Sequence, residues 1–128
     1  MIQIKRIYEP AVDKDGYRVL IDRLWPRGIK KDQANVDLWF KEAAPTPELR
    51  KWFHEAPIER WQEFNSKYRA ALKNNEAVTE LTELIEKHQK VTLVYGAKDN
   101  EHNHALILLR YLEEKMEGPS NKKAASVE

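Results

Sequence analysis

Val91-Thr92-Leu93-Val94-Tyr95 is followed by the polar run Gly96-Ala97-Lys98-Asp99-Asn100-Glu101-His102-Asn103-His104, and then by Ala105, Leu108, Leu109, Leu112 and Met116 at helical spacing. The first five residues are rich in β-branched side chains and almost wholly apolar, which predicts a strand buried on both faces, as central strands of parallel sheets are. Strand, polar loop and amphipathic helix in that order form half of the repeating unit of an α/β domain.

Upstream, Val19-Leu20-Ile21 is a second short apolar run consistent with a buried strand, and Ile2, Ile4 and Ile7 within Ile2–Tyr8 predict a strand near a sheet edge. Asp15-Gly16 between them signals a turn. Val36, Leu38 and Phe40 alternate with Asp37 and Trp39, a further extended segment. Thr46-Pro47-Glu48 combines a hydroxyl N-cap, proline at the first helical position and an acid in the first turn, so a helix runs from there to Phe53 or His54. Pro57 opens the next predicted helix, with Ile58, Trp61, Phe64, Tyr68, Ala71 and Leu72 on one stripe; after Asn74-Asn75 another carries Val78, Leu81, Leu84, Ile85 and His88. The prediction is a single compact α/β domain over 1–116, a small mostly parallel sheet flanked by helices, with a disordered tail over 117–128.

Bulk properties narrow the function classes. The 128 residues fit one domain, and 41% hydrophobic against 34% charged residues places the chain among globular proteins. With no cysteine there is no disulfide, thiolate metal site or thiol nucleophile. No apolar core follows the N-terminal charges and no stretch approaches the ~18 apolar residues of a membrane span, so a cytoplasmic location is expected. Twenty-two basic and 21 acidic residues leave a net charge of +1, so any preference for anions must come from local clustering.

Such clustering follows the second apolar run: Arg23, Arg27, Lys30 and Lys31 against the single Asp22, in Asp22-Arg23-Leu24-Trp25-Pro26-Arg27-Gly28-Ile29-Lys30-Lys31. In open α/β sheets ligands bind beyond the carboxyl ends of strands, where this loop belongs. Paired guanidinium groups there suit a phosphate or carboxylate; the competing reading is an Asp22–arginine brace with Trp25-Pro26 plugging the core. In the second polar run, Lys98 and Asn103 at the start of a helix suit an anion, and Asp99 beside His104 suits an oriented general base, whereas Asp99 or Asn100 also suits a plain N-cap. Lys41 and Arg50 lie among Trp39, Trp52 and Trp61; base stacking is one reading and core packing the stronger one.

Several classes lack their signatures. The four glycines are scattered, so there is no phosphate loop or dinucleotide fingerprint, and no serine sits where a nucleophile would. His102-x-His104 lacks the i, i+4 spacing of helical metal pairs, and neither a metal nor a cofactor is assigned. Four glutamates (Glu76, Glu80, Glu83, Glu86) against Lys87 and Lys90 make the third predicted helix a poor DNA reader.

Taken together, Asp22-Arg23-Leu24-Trp25-Pro26-Arg27-Gly28, Ala44-Pro45-Thr46-Pro47-Glu48-Leu49-Arg50, Trp52-Phe53, Trp61 with Phe64 and Tyr68, and Lys98-Asp99 with Asn103-His104-Ala105 resemble the YeaO-like family of uncharacterised bacterial proteins, from Ile2 to about Glu114. The resemblance implies a compact cytoplasmic α/β domain and supplies no activity, substrate or cofactor. One stretch departs from the family pattern. Between Phe53 and Trp61 the family usually has a shorter connection with a histidine ahead of an acidic–Pro pair, and here it reads His54-Glu55-Ala56-Pro57, so His54 stays outside the candidate set.

Three functional readings follow. The favoured one is an enzyme or small-ligand protein for an anionic substrate, with Asp22, Asp99 and His104 as candidate acid/base groups and Arg23, Arg27, Lys98, Asn103 and Arg50 as anion-binding groups. The second is a non-enzymatic module for protein or nucleic acid, with the Arg23–Lys31 loop as an exposed basic surface. S-adenosylmethionine-dependent methyl transfer is a minor third. The first requires that the segments after Ile21 and Tyr95 emerge side by side.

Overall fold

In the computed structural model, residues 1–116 are described throughout, over residues 117–127 only the helical trace of the last helix is described, and residue 128 is not described. The expectation of a tail over 117–128 therefore lies outside the fully described residues. Four strands, β1 (Ile2–Arg6), β2 (Tyr17–Leu20), β3 (Leu38–Trp39) and β4 (Val91–Tyr95), form one sheet in the order β1-β4-β2-β3, every pair parallel. The helices are α1 (Lys31–Ala34), α2 (Pro47–Glu55), α3 (Trp61–Lys73), α4 (Glu76–Lys87) and α5 (His104–Val127). The α/β class and the single small parallel sheet are as the sequence predicts.

Strand β4 is central and buried along its whole length, and β1 is the edge its interrupted pattern suggested. Side chains alternate across the sheet. Val19, Ile21, Val91, Leu93 and Tyr95 point into the main core, where they meet Phe53 of α2, Phe64, Tyr68 and Leu72 of α3, Val78, Leu81 and Ile85 of α4, and Leu108 and Leu112 of α5. On the other face Leu20 and Val94 meet Ile7, Ala34, Trp25, Ile29, Val36 and Trp39, so that side is covered by α1 and loops rather than by a second helical layer. Beneath the 8–16 loop this second face is polar. Buried Asp15 bonds Arg18 at 2.6 Å and Lys5 at 3.1 Å, and its backbone carbonyl accepts from Thr92 Oγ1 at 2.6 Å. Gly16 follows with φ +67°, and a Cβ there would drive into the Lys90 carbonyl.

The Thr46 capping signal acts as predicted, and the break expected at Asn74-Asn75 proves to hold a second cap. Thr46 Oγ1 accepts from Leu49 N at 3.2 Å with Pro47 in the first turn, and Asn75 Oδ1 accepts from Ala77 N at 2.9 Å to start α4. One element differs. Pro57 does not open a helix: residues 57–60 form a turn, α3 starts at Trp61, and Ile58 is exposed rather than on the buried stripe. The extended segment expected over Val36–Phe40 forms β3 at Leu38–Trp39, with Asp37 N and Phe40 N also donating to the Arg18 and Leu20 carbonyls, and Val36 packs on the second face.

Candidate functional site

Parallel strands deliver all their carboxyl ends to one rim. Along that rim stand Tyr8 after β1, Gly96-Ala97 after β4, Asp22-Arg23 after β2 and Ala44-Pro45 after β3, and together they border a cleft of about 310 Å³. Leu24, Trp25, Pro26 and Arg27 form its roof, and Arg50, His54 and His104 reach it from α2 and α5. The segments after Ile21 and Tyr95 do emerge side by side.

Asp22 joins them. Its Oδ2 accepts from Gly96 N at 2.8 Å, and its carbonyl accepts from Trp39 Nε1 at 2.7 Å. A Cβ at Gly96 would come within 3.0 Å of Asp22 Oδ2 and 3.8 Å of Pro26 Cβ, so a side chain at that position would crowd the carboxylate. His104 Nε2 lies 3.0 Å from the Ile21 carbonyl and 3.3 Å from Asp22 Oδ1. A carbonyl only accepts, which places the proton on Nε2 and directs it at Ile21. Asp22 Oδ1 is thus buried without a hydrogen bond of its own, in electrostatic contact with the imidazole.

The cationic wall is uneven. Arg23 is half-buried and donates from Nε to Pro45 O at 3.1 Å and from Nη2 to Ala44 O at 3.2 Å, which holds the β3-end loop against the cleft. Arg27 and Arg50 are exposed, and among the described residues their guanidinium groups make no hydrogen bond or ion pair. His54, one helical turn beyond Arg50, joins this wall. Burial, then the Arg50 and His104 charges, hold its imidazole below the ordinary value, against an opposing pull from Asp22. Three arginines face one carboxylate, so the cleft is net basic.

Three residues of the candidate set lie elsewhere. Asp99 Oδ1 accepts from Glu101 N at 2.8 Å and His102 N at 3.0 Å, and Oδ2 sits 3.0 Å from His102 Nδ1. The Glu101 N–H, opposed by burial and aided by the bonds from His102, keeps its carboxyl below the usual range. It therefore pairs with His102, not His104. Buried Asn103 donates to Asp99 O at 2.8 Å and accepts from Leu106 N at 2.9 Å, acting as the N-cap of α5. Lys98 is exposed and does not border the cleft. Conversely, the cleft includes Tyr8, which the sequence did not single out, and His54, which it named but left outside the candidate set. The i, i+4 spacing of Arg50 and His54 carried a signal for the second; nothing local marked Tyr8, whose place depends on strand order.

Among the described residues no group of three His, Asp or Glu side chains is placed to hold a metal, and no helix is long and apolar enough to cross a membrane. No solved structure matches the chain. It is 47% identical to the Escherichia coli (strain K12) uncharacterized protein YeaO over 87% of its own length and 96% of the relative's. It is 40% identical, over 87% of its length and 92% of theirs, to the uncharacterized proteins Rv3073c of Mycobacterium tuberculosis and Mb3100c of Mycobacterium bovis. A family model described as the inactive DUF488-N3 subclade matches residues 1–127. The chain belongs to this YeaO-like family of uncharacterised proteins.

Proposed function

We propose that the rim cleft binds a small molecule bearing a phosphate or carboxylate, and holds it without turning it over. The observation that carries this reading is the pair of unengaged guanidinium groups, Arg27 and Arg50, on a cleft whose single carboxylate is already committed. Arginine forks recognise planar or tetrahedral oxyanions in bidentate fashion, and the neighbouring His54 becomes a further donor once an anion favours its protonation. Binding is preferred to catalysis because the acid/base candidates on this rim serve the backbone: Asp22 fixes Gly96, and His104 donates to Ile21. The description of the family as inactive supports the same choice. The reading puts the protein in the cytoplasm, with phosphorylated or carboxylated metabolites as its partners.

A thermal-shift screen against such metabolites tests it. The expected result is a rise in Tm with at least one anion class, weakened by salt and lost in Arg27→Ala and Arg50→Ala. No response to any anion, together with salt-dependent binding to single-stranded nucleic acid, would replace this reading with a nucleic-acid module. A response to S-adenosylmethionine alone would replace it with methyl transfer.

A further inference from the structure

We infer that the ligand carries a planar ring at the end remote from its anion, as a nucleoside monophosphate does, and that the ring stacks on Tyr8. The inference rests on the anion-binding reading and adds the other half of the molecule. Tyr8 is 44% exposed and Leu24 64%, and both of these large apolar side chains stand on this one cleft. Tyr8 is also fixed in place. Its hydroxyl donates to Arg27 O at 2.8 Å, so the exposure of the ring does not serve to hydrate that group.

The Arg6 guanidinium lies 4.8 Å from the Tyr8 ring centroid and is itself held by the Ala97 carbonyl, to which Nε donates at 2.8 Å. One face of the ring is therefore backed by a positioned cation and the ring is held rigidly, as a stacking platform requires. Strand order sets the length of the ligand. Tyr8 follows β1 at one edge and Ala44-Pro45 follow β3 at the other, while Arg50 and His54 reach the cleft from α2. Three inter-strand spacings separate those edges, about 14 Å. Inorganic phosphate does not bridge that span, and an extended ring–sugar–phosphate does. Leu24, exposed on the same lining and following β2 between those edges, offers an apolar contact to the linking sugar.

Titration calorimetry on the full chain at low salt, with AMP, UMP, ribose 5-phosphate, adenosine and inorganic phosphate as probes, tests the inference. AMP and UMP are expected to bind roughly 5- to 150-fold tighter than ribose 5-phosphate, the range that stacking on one aromatic side chain supplies. Tyr8→Ala should erase that margin, bringing AMP and UMP down to the affinity of ribose 5-phosphate in the same variant, while Tyr8→Phe, which loses the same bond to Arg27 but keeps the ring, keeps most of the margin. Equal binding of AMP, UMP and ribose 5-phosphate would overturn the ring and leave the anion site standing. Adenosine binding as tightly as AMP would overturn the anion site instead, and no binding by any probe would overturn both.

Discussion

The Asp22 carboxylate, just past the end of one central strand, accepts the backbone N–H of Gly96 just past the end of the other, at 2.8 Å. This bond ties the two loops that form the floor of the cleft. Asp22→Ala leaves the Gly96 N–H without its acceptor and is expected to cost about 1–3 kcal/mol in urea unfolding, with loss of ligand binding. Asp22→Asn should fall between, because its amide keeps an oxygen for Gly96 but sets an N–H2 against the His104 Nε2 proton. Wild-type stability in the alanine variant would show that the latch is dispensable.

Asp15 and Arg18 make a separate claim, about stability alone. Both are almost fully buried, and Arg18 also donates to the carbonyls of Asn35 and Ala34. Burial raises the Asp15 pKa, but the Val12 N–H, Lys5 and Arg18 outweigh it and hold it below the ordinary 3.8. A depressed carboxyl contributes stability that is present above 3.8 and lost as pH falls through the folded value. Asp15→Ala strands a buried guanidinium, and about 3–5 kcal/mol of destabilisation is expected at pH 7. The difference between variant and wild type should shrink in acid-unfolding curves below pH 3.8. A constant difference at all pH values would contradict the ion pair as its source.

Ligand affinity should depend on pH through His54. In the free protein its pKa lies below the ordinary 6.5, through burial first and then Arg50 and His104. A bound anion opposes both charges and raises it, so binding takes up a proton. Affinity is expected to rise as pH falls from 7 into the range below 6.5, and to level off once the free imidazole is protonated. Calorimetry in buffers of different ionisation enthalpy reads that proton directly. In His54→Gln the uptake should vanish; its persistence would assign it to another group.

Tyr68 fixes the third wall. Its hydroxyl is buried under α3 and donates to the Ala43 carbonyl at 2.6 Å, next to the Ala44 and Pro45 carbonyls that Arg23 holds. Burial pushes the phenol pKa well above its usual value, so it acts as a donor at every accessible pH. Tyr68→Phe removes the bond while keeping the ring against Phe64, and about 0.5–1.5 kcal/mol of stability should be lost. Unfolding by urea measures it, and an unchanged midpoint would contradict the bond's role.

Much of the frame is legible in the residues. Val91–Tyr95 reads as a central strand because both faces must be apolar, Thr46-Pro47 marks a helix start and Asn74-Asn75 a break, because their chemistry is local. Ile58 misled because its spacing fits the α3 stripe, whereas the turn over residues 57–60 takes it out of helical phase. At the site, Asp22, Arg23, Arg27, Arg50 and His104 meet on one cleft, since each lies near a strand end or on a helix that faces the rim. Asp99 and Asn103 share the loop with His104 but bond the first turn of α5, and short side chains at a helix start have that alternative open to them. Tyr8 enters only through the order β1-β4-β2-β3, which no local pattern encodes.

The central claim is that the rim cleft is where an anion sits. Titrating isotopically labelled protein with inorganic phosphate at low salt, while following the side-chain resonances of arginine and histidine, tests it most directly. The account predicts saturable shifts at Arg27, Arg50 and His54, and none at Lys98 or Arg69. Shifts spread evenly over the basic surface, or confined to Lys30 and Lys31, would contradict it.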